Sequence, residues 1–202
     1  MWLDVKDWIV KKVFPDYHRA AMVNFEKELE LERKYGQQLH EKSEEIKKLQ
    51  EKIELQEKTF EMINQFCNKR NKIVLGVEKN KEGEFLIAIK SNTDKEYYVT
   101  LTSPNYIHPM PRIMPCYNEM DNELHINDIQ TVKEDTGNGS IVMKYFLKAA
   151  RQGGIKKITG YLSDVDKEHF SRQERYYKKH GFTVMYNKKS CTGSIELVLE
   201  GK

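Results

Sequence analysis

Gly137 and Gly139 stand one residue apart, just ahead of an apolar-periodic run, in the segment "KEDTGNGSIVMKYFLKAARQGG", Lys133 to Gly154. Glycines in that position permit a side-chain-free turn of positive φ, in which consecutive backbone N–H groups can point at one anion. Ser140 is placed to cap the helix that follows, and the first-turn N–H groups add a partial positive charge. The chemistry is that of a phosphate cradle. A P-loop needs a Lys after its last glycine, and none follows here. A dinucleotide fingerprint needs a third glycine where Val142 stands. What remains is a strand, a Gly-x-Gly turn and a helix, a pattern equally open to a tight turn without ligand. The helix expected from Ser140 to about Gln152 would bury Val142, Met143, Phe146, Leu147 and Ala150, and expose Lys144, Lys148 and Arg151. Gly153 and Gly154 would stop it.

The elements that must position this turn are read from periodicity. "KIVLGVEKN", "EFLIAIKSN" and "EYYVTLTS" alternate with period two and form an expected antiparallel meander. Pro104 to Asn122 holds four prolines and reads as a loop. "LHINDIQTV" is then the fourth strand, "KITGYLS" the fifth, and "FTVMY" and "SIELVL" close the chain. A helix is expected between them, from about Lys167 to His180. A mixed sheet flanked by helices, an α/β domain, follows over residues 67–202.

Residues 21–66 are dominated by Glu, Lys, Leu and Gln, with one glycine and no proline. Every seventh residue from Phe25 gives Phe25, Glu32, Leu39, Ile46, Ile53 and Phe60, an a series with one exception. The d series, Glu28, Tyr35, Lys42, Leu49, Gln56 and Ile63, is half apolar. One long helix of ~60 Å is expected, with self-association through 39–63 as a weak coiled coil; lying along its own domain is the alternative. Ahead of it, residues 1–20 start with an amphipathic helix carrying Trp2, Val5, Trp8, Ile9 and Val13. Its 2–14 stretch suits a protein partner better than a membrane surface. Pro15 ends that helix or marks its junction with the long one.

The 202 residues carry 32% charged and 39% hydrophobic side chains and a net charge of +3, too small to imply nucleic acid. No apolar stretch reaches the ~20 residues that span a bilayer, and Asp4, Lys6 and Asp7 break any signal-peptide layout. Cys67, Cys116 and Cys191 form no CxxC pair, so reduced thiols in a cytoplasmic protein are expected. His108 and Cys116 have no partner at metal-ligand spacing, so no metal is expected. Asp164, Asp166 and His169 read as a turn and helix cap.

From Leu124 to Val198 the chain resembles the GCN5-related N-acetyltransferase (GNAT) superfamily. The residues that carry the likeness are Glu134-Asp135-Thr136-Gly137-Asn138-Gly139, against the family's Q/R-x-x-G-x-G/A turn, and Tyr177 four residues before Gly181-Phe182. Both glycines match; Glu134 holds the first position, where it would oppose an anion unless turned outward. The resemblance implies that Gly137, Asn138, Gly139 and Ser140 hold the pyrophosphate of acetyl-CoA, with Ile129 along the pantetheine path. It implies Tyr177 as the acid that protonates the departing thiolate, and His125, or Glu123 beside it, as the base toward an amine; Asp128 falls on the opposite face from His125. The family's usual N-terminal strand and two helices, which wall the acceptor side, are replaced by the long helix. Two functions are therefore expected: an acyl-CoA-dependent N-acyltransferase, or a catalytically silent GNAT-fold adaptor dimerised by its coiled coil.

Overall fold

A computed structural model describes residues 2–93, 95–105, 111–131, 135–163, 168–187 and 190–199. The chain divides into two units, 1–54 and 55–202. The first is helical, comprising α1 (Trp2–Val13) and most of α2 (Pro15–Cys67). Pro15 opens α2, where its missing N–H costs nothing, and the bonds Phe14 N→Val10 O (2.9 Å) and His18 N→Phe14 O (3.0 Å) carry the helical ladder past it. No helix among the described residues is long and apolar enough to cross a membrane.

The second unit begins with the last turns of α2 and continues with β1 (Lys72–Lys79), β2 (Phe85–Ser91), β3 (Val99–Thr102), β4 (Arg112–Asn118) and β5 (Glu123–Gln130). There follow α3 (Asn138–Gln152), β6 (Lys157–Leu162), α4 (Phe170–Lys179), β7 (Thr183–Asn187) and β8 (Thr192–Val198). The sheet has eight strands in the order β1-β2-β3-β4-β5-β6-β8-β7. All neighbours are antiparallel except β5 and β6. A parallel pair needs a crossover, and α3 supplies it. The expected mixed α/β sheet with flanking helices and a long preceding helix is the architecture found.

One expectation is corrected. The proline-rich stretch is not a loop throughout: Arg112–Asn118 is β4, so the strand bearing His125 is the fifth. Pro115 is tolerated because the β4–β5 register shifts between Met114 and Pro115. A bulge there removes the ladder bond that a proline cannot donate. Residues 106–110, with His108, lie outside the described residues.

The core forms where α3 meets one sheet face. Val142, Met143, Phe146 and Ala150 are fully buried, Leu147 nearly so, and Lys144, Lys148 and Arg151 stay exposed, as the periodicity implies. Leu86, Leu101, Ile113, Leu124 and Ile158 pack against them. The last turns of α2 carry a half-buried stripe of Leu55, Met62, Ile63 and Phe66 beside buried Thr59. Because Phe146 has no exposed surface, Phe146→Ala is expected to destabilise the α/β unit by about 3–5 kcal/mol. Arg151→Ala, on the exposed side of the same helix, should stay within about 0.5 kcal/mol. Urea unfolding followed by near-ultraviolet circular dichroism checks both.

Candidate functional site

The parallel pairing of β5 with β6 runs only from Glu123↔Lys157 to Ile126↔Gly160. Beyond it β5 continues against β4 as far as Gln130, and β6 against β8 as far as Leu162. The two strands therefore part, and their facing edges keep backbone groups that no neighbouring strand satisfies. A cleft of about 810 Å³ opens at this point. Ile126 to Ile129 form one side, Tyr161 and Leu162 the other; the glycine turn, the first turn of α3 and α4 complete it.

The glycine turn is built as a cradle by Gly137, whose φ of 85° is costly for any residue with a Cβ. Asp135 before it also takes a positive φ, 56°, which an Asp tolerates better than most. Two local expectations are corrected. Gly139 does not need a positive φ, because the helix has already begun at Asn138. Ser140 is not the cap: Gly137 holds the N-cap position with no side-chain bond. The earlier start follows from Asn138, whose buried side chain is held from outside the helix. Its Oδ1 accepts from Asn80 Nδ2 at 3.1 Å. The N–H groups of Gly139 and Ser140, in the first turn of α3, have no carbonyl one turn earlier in the helix and no capping side chain at Gly137, and both residues line the cleft.

Asn80 was not singled out by sequence. It shapes the β1–β2 turn, its Oδ1 accepting from the backbone N–H of Glu82 and Glu84 at 3.0 Å each, an Asx turn. The same side chain ties that turn to α3, and Lys81 N donates to Thr136 O at 3.0 Å. The Lys81 stem then lies along Gly137, where an added Cβ would meet its Cγ at 3.5 Å. A hairpin 58 residues away in sequence thus fixes the turn and brings a cation to it.

On the other side, α4 contributes Tyr176, Tyr177 and Lys179. Tyr176 Oη donates to Gly139 O at 2.7 Å, and burial raises its pKa far above the ordinary tyrosine range, so the donated proton stays in place. Lys179 Nζ donates to Ser140 Oγ at 3.2 Å, setting an ammonium beside the start of α3. Tyr177 lines the cleft and packs edge-on against Phe182 at 5.5 Å. The charged lining is Lys79, Lys81, Arg172, Arg175 and Lys179 against Asp128 and Asp135. That balance, together with the helix start, favours an anion. Asp128 is held from the sheet: Arg112 donates to Gln130 Oε1 at 2.8 Å, and Gln130 Nε2 donates to Asp128 Oδ2 at 2.8 Å.

The structure brings Ile129, Gly137, Asn138, Gly139, Ser140 and Tyr177 to one cleft. It does not place His125 among the lining residues. His125 is exposed, one residue before the strands part, and the register shift beside Ile126 puts Asp128 on the same sheet face as His125, not on the opposite one as simple alternation implied. There Thr159 Oγ1 donates to Glu123 Oε1 at 2.5 Å, and His125 Nδ1 lies 3.0 Å from the same hydroxyl. The hydroxyl donates its one proton to the carboxylate, so Nδ1 is the donor toward Thr159, and in the neutral ring Nε2 then carries the lone pair. Glu123 thus serves His125 indirectly through Thr159, a residue that alternation alone did not single out. Glu134, Lys133, Asp164 and Asp166 lie outside the described residues. Among the described residues no cluster of His, Cys, Asp or Glu could hold a metal ion.

No family model matches the chain. Among solved structures it is similar to Ard1 of Thermoplasma volcanium, at 18% identity over 52% of this chain and 72% of that one, TM-score 0.40. It is also similar to the PaiA N-acetyltransferase of Thermoplasma acidophilum in complex with coenzyme A, at 17% identity over 50% and 60%, TM-score 0.40. The uncharacterized protein YocC of Bacillus subtilis is 31% identical over 129 residues, 62% of this chain and 76% of YocC. At that identity and coverage, the chain belongs to the same family as YocC.

Proposed function

We propose that the protein is an acyl-CoA-dependent N-acetyltransferase that moves the acetyl group of acetyl-CoA to an amine. The observation that carries this reading is the parting of β5 from β6 beside the uncapped, cation-flanked start of α3. A diphosphate fits the N–H groups of Gly139 and Ser140, with Lys81 and Lys179 as countercharges. An extended amide chain such as pantetheine fits the unsatisfied strand edges, as a peptide adds to a sheet. Ile129 lies along that path.

The amine approaches from the side on which His125 is exposed. His125 Nε2, outside the cleft lining, takes its proton through water as the nitrogen bonds to the thioester carbon. The carbon–sulfur bond then breaks, and Tyr177 transfers its phenolic proton to the departing thiolate. Glu123 and Thr159 hold the imidazole in the tautomer this requires. An enzyme using acetyl-CoA, with three exposed cysteines that form no disulfide, suits a reducing, cytoplasmic compartment. The exposed Val5, Trp8, Ile9 and Val13 of α1 suit a docking contact with a protein partner, and the apolar series of α2 suits self-association.

Ligand binding and active-site variants test the reading. Coenzyme A at a hundredfold its dissociation constant should raise the melting temperature by roughly 5 °C or more, and Lys179→Glu should reduce that shift. No shift at millimolar concentration would leave a silent adaptor. With a panel of primary amines and detection of released thiol, Tyr177→Phe should cut kcat by about 10²-fold while the dissociation constant of coenzyme A stays within about twofold. His125→Gln should cost about 10²-fold in turnover. Thr159→Val should cost less, and it should erase the Nδ1–H preference of His125 in ¹⁵N NMR spectra; an unchanged tautomer removes the Glu123–Thr159 support.

A further inference from the structure

The helical unit leaves its apolar seam uncovered. Phe25, Tyr35, Leu39, Ile46 and Leu49 each keep about half or more of their surface exposed. They occupy a and d positions of one continuous stretch of α2, a face that gains by meeting another helix. The same seam contains Glu28, Glu32 and Lys42, and these charges discriminate between arrangements.

In a parallel, in-register pair each seam residue meets its own copy. Glu28 would face Glu28, Glu32 would face Glu32 and Lys42 would face Lys42, three like-charge layers in one short seam. In an antiparallel pair a positions face d positions, and the register can slip only by heptads. One register sets Glu32 against Lys42 of the second copy. That register also sets Phe25 against Leu49 and Tyr35 against Leu39, and leaves Glu28 beside Ile46, where its chain can reach solvent. A slip of one heptad either way puts Glu32 against Tyr35 or Leu49, and Lys42 against Phe25 or Leu39, with no countercharge.

The two-fold axis of the favoured register lies at the level of Gln37, which itself sits on the outer side of the helix. Gly36 flanks it, and a Cβ there would meet nothing within 4 Å. Glycine weakens a helix interior, but at a crossing point it lets two backbones approach. Lys42 already bonds Glu45 at 2.8 Å, with both side chains largely in solvent. Such an exposed pair contributes little, so exchanging it for Glu32 of the second copy costs little.

From this complementarity we infer that α2 is a homodimerisation helix that pairs antiparallel with a second copy over residues 25–49, with Glu32 and Lys42 setting direction and register. The inference does not rest on the acyltransferase reading. It moves the self-association surface from the expected 39–63 to 25–49, within the helical unit, and gives the pairing an orientation.

The test uses the full chain with Cys67, Cys116 and Cys191 replaced by Ser, carrying a spin label at Gln37→Cys or Glu51→Cys. Light scattering should give a dimer. The labels at 37 should lie as close as the width of a helix pair allows. Those at 51 should be about 40 Å apart, the rise of roughly 28 helical residues. A monomer, or short separations at both positions as in a parallel pair, overturns the inference. Glu32→Lys and Lys42→Glu should each weaken dimerisation by about tenfold or more, with helical content unchanged by circular dichroism. The two combined should restore affinity to within about threefold. Failure of the double variant to recover also overturns the register.

Discussion

The site depends on where a hydrogen-bonded ladder stops. β5 and β6 are paired in parallel through Ile126 and Gly160, and each is then drawn away by its other neighbour, β4 or β8. Unpaired backbone groups inside a fold are costly unless something meets them. A pair of strands that separates next to a helix start therefore leaves backbone groups that an extended, hydrogen-bonding ligand with an anionic end could meet, as the proposed reading requires. At Gly160, the last paired residue of β6, a Cβ would meet Ile195 Cδ1 at 2.9 Å, so a side chain there would have to displace that of Ile195.

Three separate elements converge on the start of α3, and each acts through a different interaction. The β1–β2 turn holds Asn138 and lays the Lys81 stem over Gly137. From α4, Tyr176 bonds the carbonyl of Gly139 and Lys179 bonds the hydroxyl of Ser140. The turn itself adopts the left-handed conformation at Gly137. Together they present the helix start without capping it, so the partial positive charge that a cap would quench stays available. Nearby, burial and the Lys179 charge push the pKa of His180 down, which favours its neutral form at the end of α4. His180 thus adds little cationic charge of its own; the lysine and arginine side chains supply it.

The helical unit poses the opposite problem. The α/β unit buries its apolar residues against α3, whereas residues 25–49 expose a row of them that nothing in their own unit covers. A helix with polar residues all round would need no partner. This one carries an apolar series interrupted by both signs of charge, and the spacing of Glu32 and Lys42 lets one orientation satisfy both.

Much of the fold was legible because local periodicity reports it. The buried stripe of α3, the long uninterrupted α2, the alternating strands and the Gly-x-Gly turn all follow from side-chain spacing and backbone preference. So did the resemblance carried by Gly137, Gly139, Tyr177, Gly181 and Phe182. β4 was hidden because Pro115 within it and the prolines just ahead of it mimic a loop, and only its pairing with β5 shows that Pro115 falls at a bulge. The parts played by Asn80, Lys81, Tyr176 and Thr159 could not be read either. Asn80 looks like any hairpin residue until the sheet lies next to α3, and Thr159 gains its function only when β5 and β6 place it between Glu123 and His125. Spacing along the chain determines which faces are apolar and where the backbone can bend. Which distant side chains share a hydrogen bond was decided by sheet register and crossover packing, because those contacts join residues tens of positions apart whose separation no local pattern encodes.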